Sequence, residues 1–270
     1  MIASDRIAAS IMKLMPNNLK GLFMALHIMF TSGMFLKSRK ISSILNPFIG
    51  GGREIFYGTA LFPEERFYVA DVGAYRGYCT VLASKIVGSR GHVYSFELEP
   101  NNFQILNKVI LLNRLKNVTP LKLAISDKDV FESLYLSDYP SMHSTVLKRS
   151  NKIIKVSALR LDSLVRPGVI RRLDLVKIDV EGAELKVLQG CKNIIREFNP
   201  IFSIDVNHYK KEFEDVQAFF DYFDYKIHSL IGGIDRPYSI VAYPPHKAEL
   251  ARRLIVKTRY LSSGMSFFKR

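Results

Sequence analysis

The chain is 270 residues long, 48% hydrophobic and 24% charged, with 39 Lys and Arg against 25 Asp and Glu and only two cysteines. That length and balance suit a folded domain with a full core and exclude a disordered or collagen-like chain. Cys79 and Cys191 fit no disulfide framework or thiolate metal cluster, which makes a reducing cytoplasm the default compartment, and the net charge of +14 leaves nucleic acid, anionic lipid and phosphorylated acceptors as candidate partners.

Residues 1–56 are predicted to be a helical extension and linker. The run 21–35 is apolar but interrupted by His27, Thr31, Ser32 and Gly33, and it is shorter than the roughly 20 residues a spanning helix needs. Flanking Lys13, Lys20, Lys37, Arg39 and Lys40 would let it lie on a membrane surface as an amphipathic helix. The preferred reading is a helix packed across the protein or against a second subunit. Residues 46–52, with Asn46, Pro47 and three successive glycines, read as a hinge.

A domain over 57–246 follows. A strand over 67–72 carries Asp71 at its tip and turns through Gly73, Ala74, Tyr75 and Gly77 into a helix over 77–87. Gly73 frees a tight turn, and Gly77 lets the helix pack closely. This spacing differs from the glycine pattern that cradles a pyrophosphate. A carboxylate there would repel two phosphates, whereas it suits the ammonium and sulfonium of S-adenosylmethionine. A second strand over 92–96 ends at Glu97, 24 positions after Gly73, where an acid can take both ribose hydroxyls. Pro100, Asn101 and Asn102 place the competing Glu99 outside the strand.

A helix over 101–112 and a strand over 118–123 lead to Ile125, Ser126 and Asp127, placed to meet an adenine ring and its amino group. Asp138 to Ser144 lies in a polar insertion that would cover a site. The strand over 173–179 ends in alternate carboxylates, Asp179 and Glu181, ahead of a helix over 183–189. Next come a strand over 201–206, a helix over 211–222 and two late strands over 225–230 and 238–242. Strands separated by helices indicate a parallel sheet. Positive charge concentrates in 147–172, with eight basic residues against Asp162, and in a C-terminal extension over 247–270, with seven against Glu249.

Asp71-Val72-Gly73-Ala74 with Gly77-Tyr78, then Phe96-Glu97, then Ala124-Ile125-Ser126-Asp127, then Lys177-Ile178-Asp179-Val180-Glu181-Gly182-Ala183-Glu184 resemble, in order, the FkbM family of S-adenosylmethionine-dependent methyltransferases. The resemblance runs from about Phe67 to about Leu230. It implies a Rossmann-like class I methyltransferase fold of the α/β class, with a seven-stranded mostly parallel sheet, helices on both faces and an antiparallel C-terminal hairpin. It also implies O-methylation of a hydroxyl on a sugar, glycan, lipid-linked or other small acceptor. Tyr75 departs from the family's frequent Asn, and Leu98-Glu99 from its usual Pro-Asn. Expected cofactor contacts are Asp71, Gly73, Ala74, Tyr75, Gly77, Glu97, Leu98, Ser126, Asp127 and Asp179.

A hydroxyl acceptor titrates far above neutral pH, so a base assists its methylation. Asp179, Glu181 and His208 stand at strand ends and are the catalytic candidates. Asp179 orienting the methionine portion is an equal alternative, Glu181 is better placed to line the acceptor pocket or cap the next helix, and Glu184 reads as simple first-turn helix charge. A Mg or Mn ion on Asp179, Asp205 and His208 is chemically allowed, but no metal is predicted. Two other classes compete. An RNA methyltransferase would use the basic runs, although paired acids repel a phosphate backbone, and a non-catalytic module would lose the cofactor residues that are all present here.

Overall fold

The computed structural model describes residues 61–266 apart from 140, 149 and 234–236. The apolar run 21–35 and the hinge 46–52 lie outside the described residues. Thr59–Val256 forms one compact unit, and 257–266 belongs to a second. Among the described residues no helix is long and apolar enough to cross a membrane.

The first unit is built on a seven-stranded sheet in the order β3-β2-β1-β7-β8-β10-β9. Its strands are β1 (Tyr68–Val72), β2 (His92–Phe96), β3 (Val118–Leu121), β7 (Leu175–Ile178), β8 (Ile201–Asp205), β9 (Lys226–Gly232) and β10 (Pro237–Tyr243). β1, β2, β3, β7 and β8 pair in parallel, while β10 runs antiparallel to both β8 and β9. This is the Rossmann-like class I methyltransferase arrangement, with its hairpin at the C-terminal edge.

Buried side chains alternate through the sheet. Val69 pairs with Val93 and Leu175, and Leu175 with Ile201. These four face Ala83 and Val87 of α1 (Tyr78–Val87) and Ala251, Leu254 and Ile255 of α6 (Ala248–Ser266). One residue further along, Ala70, Tyr94, Val176 and Phe202 face the opposite side. There they meet α3 (Glu184–Gln189), α4 (Lys192–Phe198) and α5 (Glu212–Tyr222). Both faces are covered, which explains why the strands read as continuous apolar runs. The first turns of α6, drawn from the basic segment 247–270, are core-forming.

Three strands escaped the sequence pattern. β4 (Ala124–Ile125), β5 (Val130–Tyr135) and β6 (Ile153–Leu159) form a separate sheet in the order β4-β6-β5 around Ala124, Leu134, Val156 and Ala158. The strand expected over 118–123 stops at Leu121, where a turn closes from Leu123 N–H to Leu121 O at 3.1 Å. Pro120 is accommodated because β3 is an edge strand.

Phe220 of α5 is fully buried, with ring centroids 5.2 Å from Phe202 and 5.3 Å from Tyr225. Phe220→Ala is expected to cost about 3–5 kcal/mol, read as a shift in the urea midpoint. A loss under about 1 kcal/mol would show that this aromatic cluster is not a main support of the sheet.

Candidate active site

β1 and β7 are neighbours at the point where strand order reverses, which opens a crevice beyond their carboxyl ends. Gly73 turns there at φ +79°, and a Cβ on it would stand 1.8 Å from Asp179 O. The Gly73 and Ala74 amides both donate to Phe96 O, at 3.1 and 2.9 Å, so the turn leans on the end of β2. Tyr75 follows at φ +50°, a conformation that Asn tolerates better than an aromatic residue. The family's frequent Asn thus matches the backbone that this chain imposes on Tyr75.

Glu97 sits just past β2 and is almost wholly buried. Its carboxylate accepts the Tyr75 amide at 2.8 Å and the Glu99 amide at 2.8 Å. Burial pushes this carboxyl up to about 7, with those two amides pulling it back. Glu99 accepts the Asn102 amide at 2.7 Å and caps α2 (Pro100–Leu112). The two acids therefore have separate tasks. Leu98, between them, packs against the small-sheet core.

Asp71 is 1% exposed and lies beneath the Gly73 turn rather than on its surface. Thr80 Oγ1 donates to it at 2.7 Å, and Lys177 Nζ stands 3.4 Å from its other oxygen. Lys177 also donates to Gly73 O at 2.8 Å and lies 3.7 Å from Asp179. Burial opposes the lysine's charge, but Asp71, Asp179 and Asp205 outweigh it and hold the ammonium well above its ordinary range. Sequence reasoning passed over Lys177. Its signal is a lysine inside a strand whose four residues are all buried.

The adenine-side candidates also meet. Ser126 is buried, and its hydroxyl donates to Asp127 at 3.2 Å and to Glu132. Asp127 remains partly open, with Lys128 3.9 Å away. Ser126 follows β4, so these two candidates leave from the small sheet rather than from the tip of β3 as expected.

Beyond Asp179, the remaining catalytic candidates join a charged cluster. Glu181 adopts φ +59°. His208, just past β8, has Nε2 4.0 Å from Glu181 and Nδ1 3.4 Å from Glu184 and 3.2 Å from Glu212. Its amide donates to Glu212 Oε2 at 2.7 Å. Burial opposes the imidazolium, yet the Glu212 hydrogen bond and the Glu184, Glu212 and Glu181 charges push the ring up to about 10. At neutral pH this histidine is a cation without a lone pair for a substrate proton.

Glu184 is fully buried and accepts the Val180 amide at 2.9 Å, contrary to the expectation of simple helix-end charge. Burial drives its carboxyl well above the ordinary range, while His208 and Glu184 together hold Glu212 low despite burial. Asp205 is likewise pushed up, first by burial and then by Asp179. Asp179, Glu184 and His208 each offer an atom within 4.8 Å of the others, so Glu184 takes the place considered for Asp205 in a possible donor set. Glu212 was also passed over, although it stands four residues after His208 at the start of a helix.

The insertion reaches the Glu181–Gly182 peptide. Ser144 Oγ donates to Glu181 O at 2.7 Å and accepts the Val146 and Leu147 amides. A Cβ on Gly182, at φ +100°, would stand 3.0 Å from the Leu147 side chain. In the basic run 147–172, Arg160 pairs with Asp129 at 3.0 Å and Arg172 with Asp174 at 2.8 Å.

The family model for the FkbM methyltransferase domain matches residues 71–227. Methyltransferase 1 of Beauveria bassiana is 29% identical over 165 residues, covering 51% of this chain and 65% of that protein. Hexuronic acid methyltransferase AglP of Haloferax volcanii is 30% identical over 139 residues, covering 50% and 54%. The chain thus spans between about half and two thirds of these relatives' lengths. The crystal structure of an FkbM methyltransferase from Methylobacillus flagellatus superposes with a TM-score of 0.51 at 16% identity, over 70% of this chain and 50% of that one, and shows the shared fold.

A histidine raised from 6.5 to about 10 has a definite linkage sign. Its stabilisation is fully present below the unfolded value and is lost as pH rises through the folded one. Imidazole NMR is expected to show His208 protonated at pH 8, with the urea midpoint declining from pH 7 to 10 less steeply in His208→Gln. Ring titration near 6.5 would contradict the geometry.

Proposed function

The chain belongs to the FkbM family of S-adenosylmethionine-dependent methyltransferases, and from that premise we propose that it methylates a hydroxyl of a sugar or glycan. The observation carrying this reading is an excess of carboxylates at one strand edge. Asp71, Asp179 and Asp205 surround Lys177, and Glu181, Glu184 and Glu212 surround His208. Burial pushes the Glu184 and Asp205 carboxyls up, and a cationic donor would offset part of the negative charge gathered there. When bound, S-adenosylmethionine supplies an electrophilic methyl group on a positively charged sulfur.

The residues divide by position. The bare Gly73–Ala74 turn and Tyr75 form the cradle for the donor's amino-acid end, with Gly77 holding the following helix close. Glu97 takes the ribose hydroxyls, while Leu98, Ser126 and Asp127 border the adenine. Asp71 acts from below, keeping Lys177 and the turn in place. Asp179, 34% exposed at its side chain, is the carboxylate open to an incoming hydroxyl and would accept its proton. Glu181 borders the acceptor, and His208 remains a fixed cation rather than a base.

AglP, named for hexuronic acid, supports a sugar as the acceptor class. Incubation with S-adenosylmethionine and a glucuronic-acid-terminated oligosaccharide is expected to give a methyl-sized mass gain on the glycan. Methylated RNA nucleosides with unmodified glycans would overturn the acceptor class. Glu97→Ala should weaken donor binding by 10-fold or more, roughly 1.5–3 kcal/mol, and unchanged calorimetric affinity would remove Glu97 from the site. Asp179→Asn should lower turnover by about 10²-fold or more with donor affinity held; normal turnover would assign the chemistry to positioning alone.

A further inference from the structure

We propose that Glu212 is a positioning residue, clamping His208 so that it becomes a charged post fixing Glu181 at the acceptor side of the crevice. This inference rests on the methyl-transfer reading and adds a residue to it. Glu212 lies in the first turn of α5, has no exposed surface and never reaches the crevice itself. It holds His208 twice, by the backbone amide at 2.7 Å and by the ring at 3.2 Å. The ring is thereby aimed so that its other nitrogen faces Glu181 across 4.0 Å.

A second clamp acts on the same loop. Glu184 accepts the Val180 amide and stands 3.4 Å from the His208 ring. Glu181 lies between these supports in a left-handed conformation, with its carbonyl tied to Ser144. A non-glycine residue at positive φ persists only where its surroundings enforce it. Here they are Glu184 on α3, which takes the Val180 amide, and His208 after β8, which faces the Glu181 carboxylate and is itself gripped by Glu212 on α5. The charged groups facing His208 are Glu212, Glu184 and Glu181, with Asp205 from its own strand and Asp179 within the same cluster.

These supports must be fully occupied to work. Among the described residues Glu184 Oε2 is buried without a hydrogen-bond donor, while Glu184 and Glu212 stand within hydrogen-bonding reach of each other. Burial drives the Glu184 carboxyl up, whereas His208 and Glu184 hold that of Glu212 low despite burial, so Glu212 is the better anionic partner for the ring it grips. The group that sets the loop's electrostatics is thus one helix removed from the chemistry.

The test uses the full chain with Glu212→Gln and, as a second variant, Glu212→Asp. Imidazole NMR without ligand is expected to show the His208 titration midpoint falling by one unit or more in Glu212→Gln and recovering in part in Glu212→Asp. Amide signals of Glu181 and Gly182 should shift in Glu212→Gln, while S-adenosylmethionine affinity by calorimetry stays constant. Turnover of the glucuronic-acid oligosaccharide should fall about 10²-fold, as for a misplaced reacting group. An unmoved His208 midpoint, or unmoved Glu181 and Gly182 signals, would overturn the proposal. So would Mn²⁺ alone binding at micromolar level to the native chain and not to Glu184→Gln, since a cation would then be the missing partner. If Glu212→Gln fails to fold, Glu212→Asp decides by the same signals, because its shorter reach should still displace them. Failure of the native protein to methylate the oligosaccharide counts against the sugar reading alone, because the titration needs no acceptor.

Discussion

Lys177 lies inside the carboxyl edge of the central sheet, where Asp71, Asp179 and the Gly73 carbonyl all approach its ammonium. A charge in that position is costly unless every partner is present, and removing one partner of a buried pair typically costs about 3–5 kcal/mol. The lysine therefore makes three otherwise independent features conditional on one another. The β1 tip cannot drift from β7 without stranding Asp71, and the glycine turn cannot lift without losing its carbonyl contact. Gly73 completes the constraint by its lack of a Cβ, since nothing larger fits against Asp179 O. The crevice is shaped first by this electrostatic knot and only secondarily by the loops above it.

Two kinds of carboxylate follow from that arrangement. Asp71, Glu184 and Glu212 are sealed in and act on the protein itself. Asp179 and Glu181 keep some exposure. Glu97 is intermediate: it is buried, yet each of its two oxygens accepts a backbone amide, from Tyr75 and from Glu99. A carboxyl poised near 7 by burial is sensitive to any added hydrogen-bond donor. Ribose hydroxyls would therefore do more for Glu97 than for a solvated acid, because they replace hydration that burial has removed.

The parts legible in the sequence were those determined locally. The Asp71-to-Gly77 turn needs positive φ at its glycines, and Glu97 follows from strand length. The two helix-covered faces of the sheet appear as apolar runs. Lys177, Glu184 and Glu212 were not legible, because their burial depends on β1, β7 and β8 lying side by side and on α3 and α5 converging. His208 could be placed at a strand end, but its charge could not be assigned until three acids from separate elements surrounded it. The small sheet escaped for another reason: β4 has two residues and the outer faces of β5 and β6 are half-exposed. Such short strands resemble loop sequence.

That small sheet changes how acceptor choice and chemistry are connected. β5 and β6 bracket the insertion that carries Ser144 and Leu147, and both residues rest on the Glu181–Gly182 peptide. β4, in the same sheet, leads directly into Ser126 and Asp127. A change in the insertion that suits a larger acceptor would strain Glu181, whose left-handed backbone already has little freedom. The Glu181–Gly182 peptide is thus held between Ser144 and Leu147 of the insertion on one side and the His208 cluster on the other.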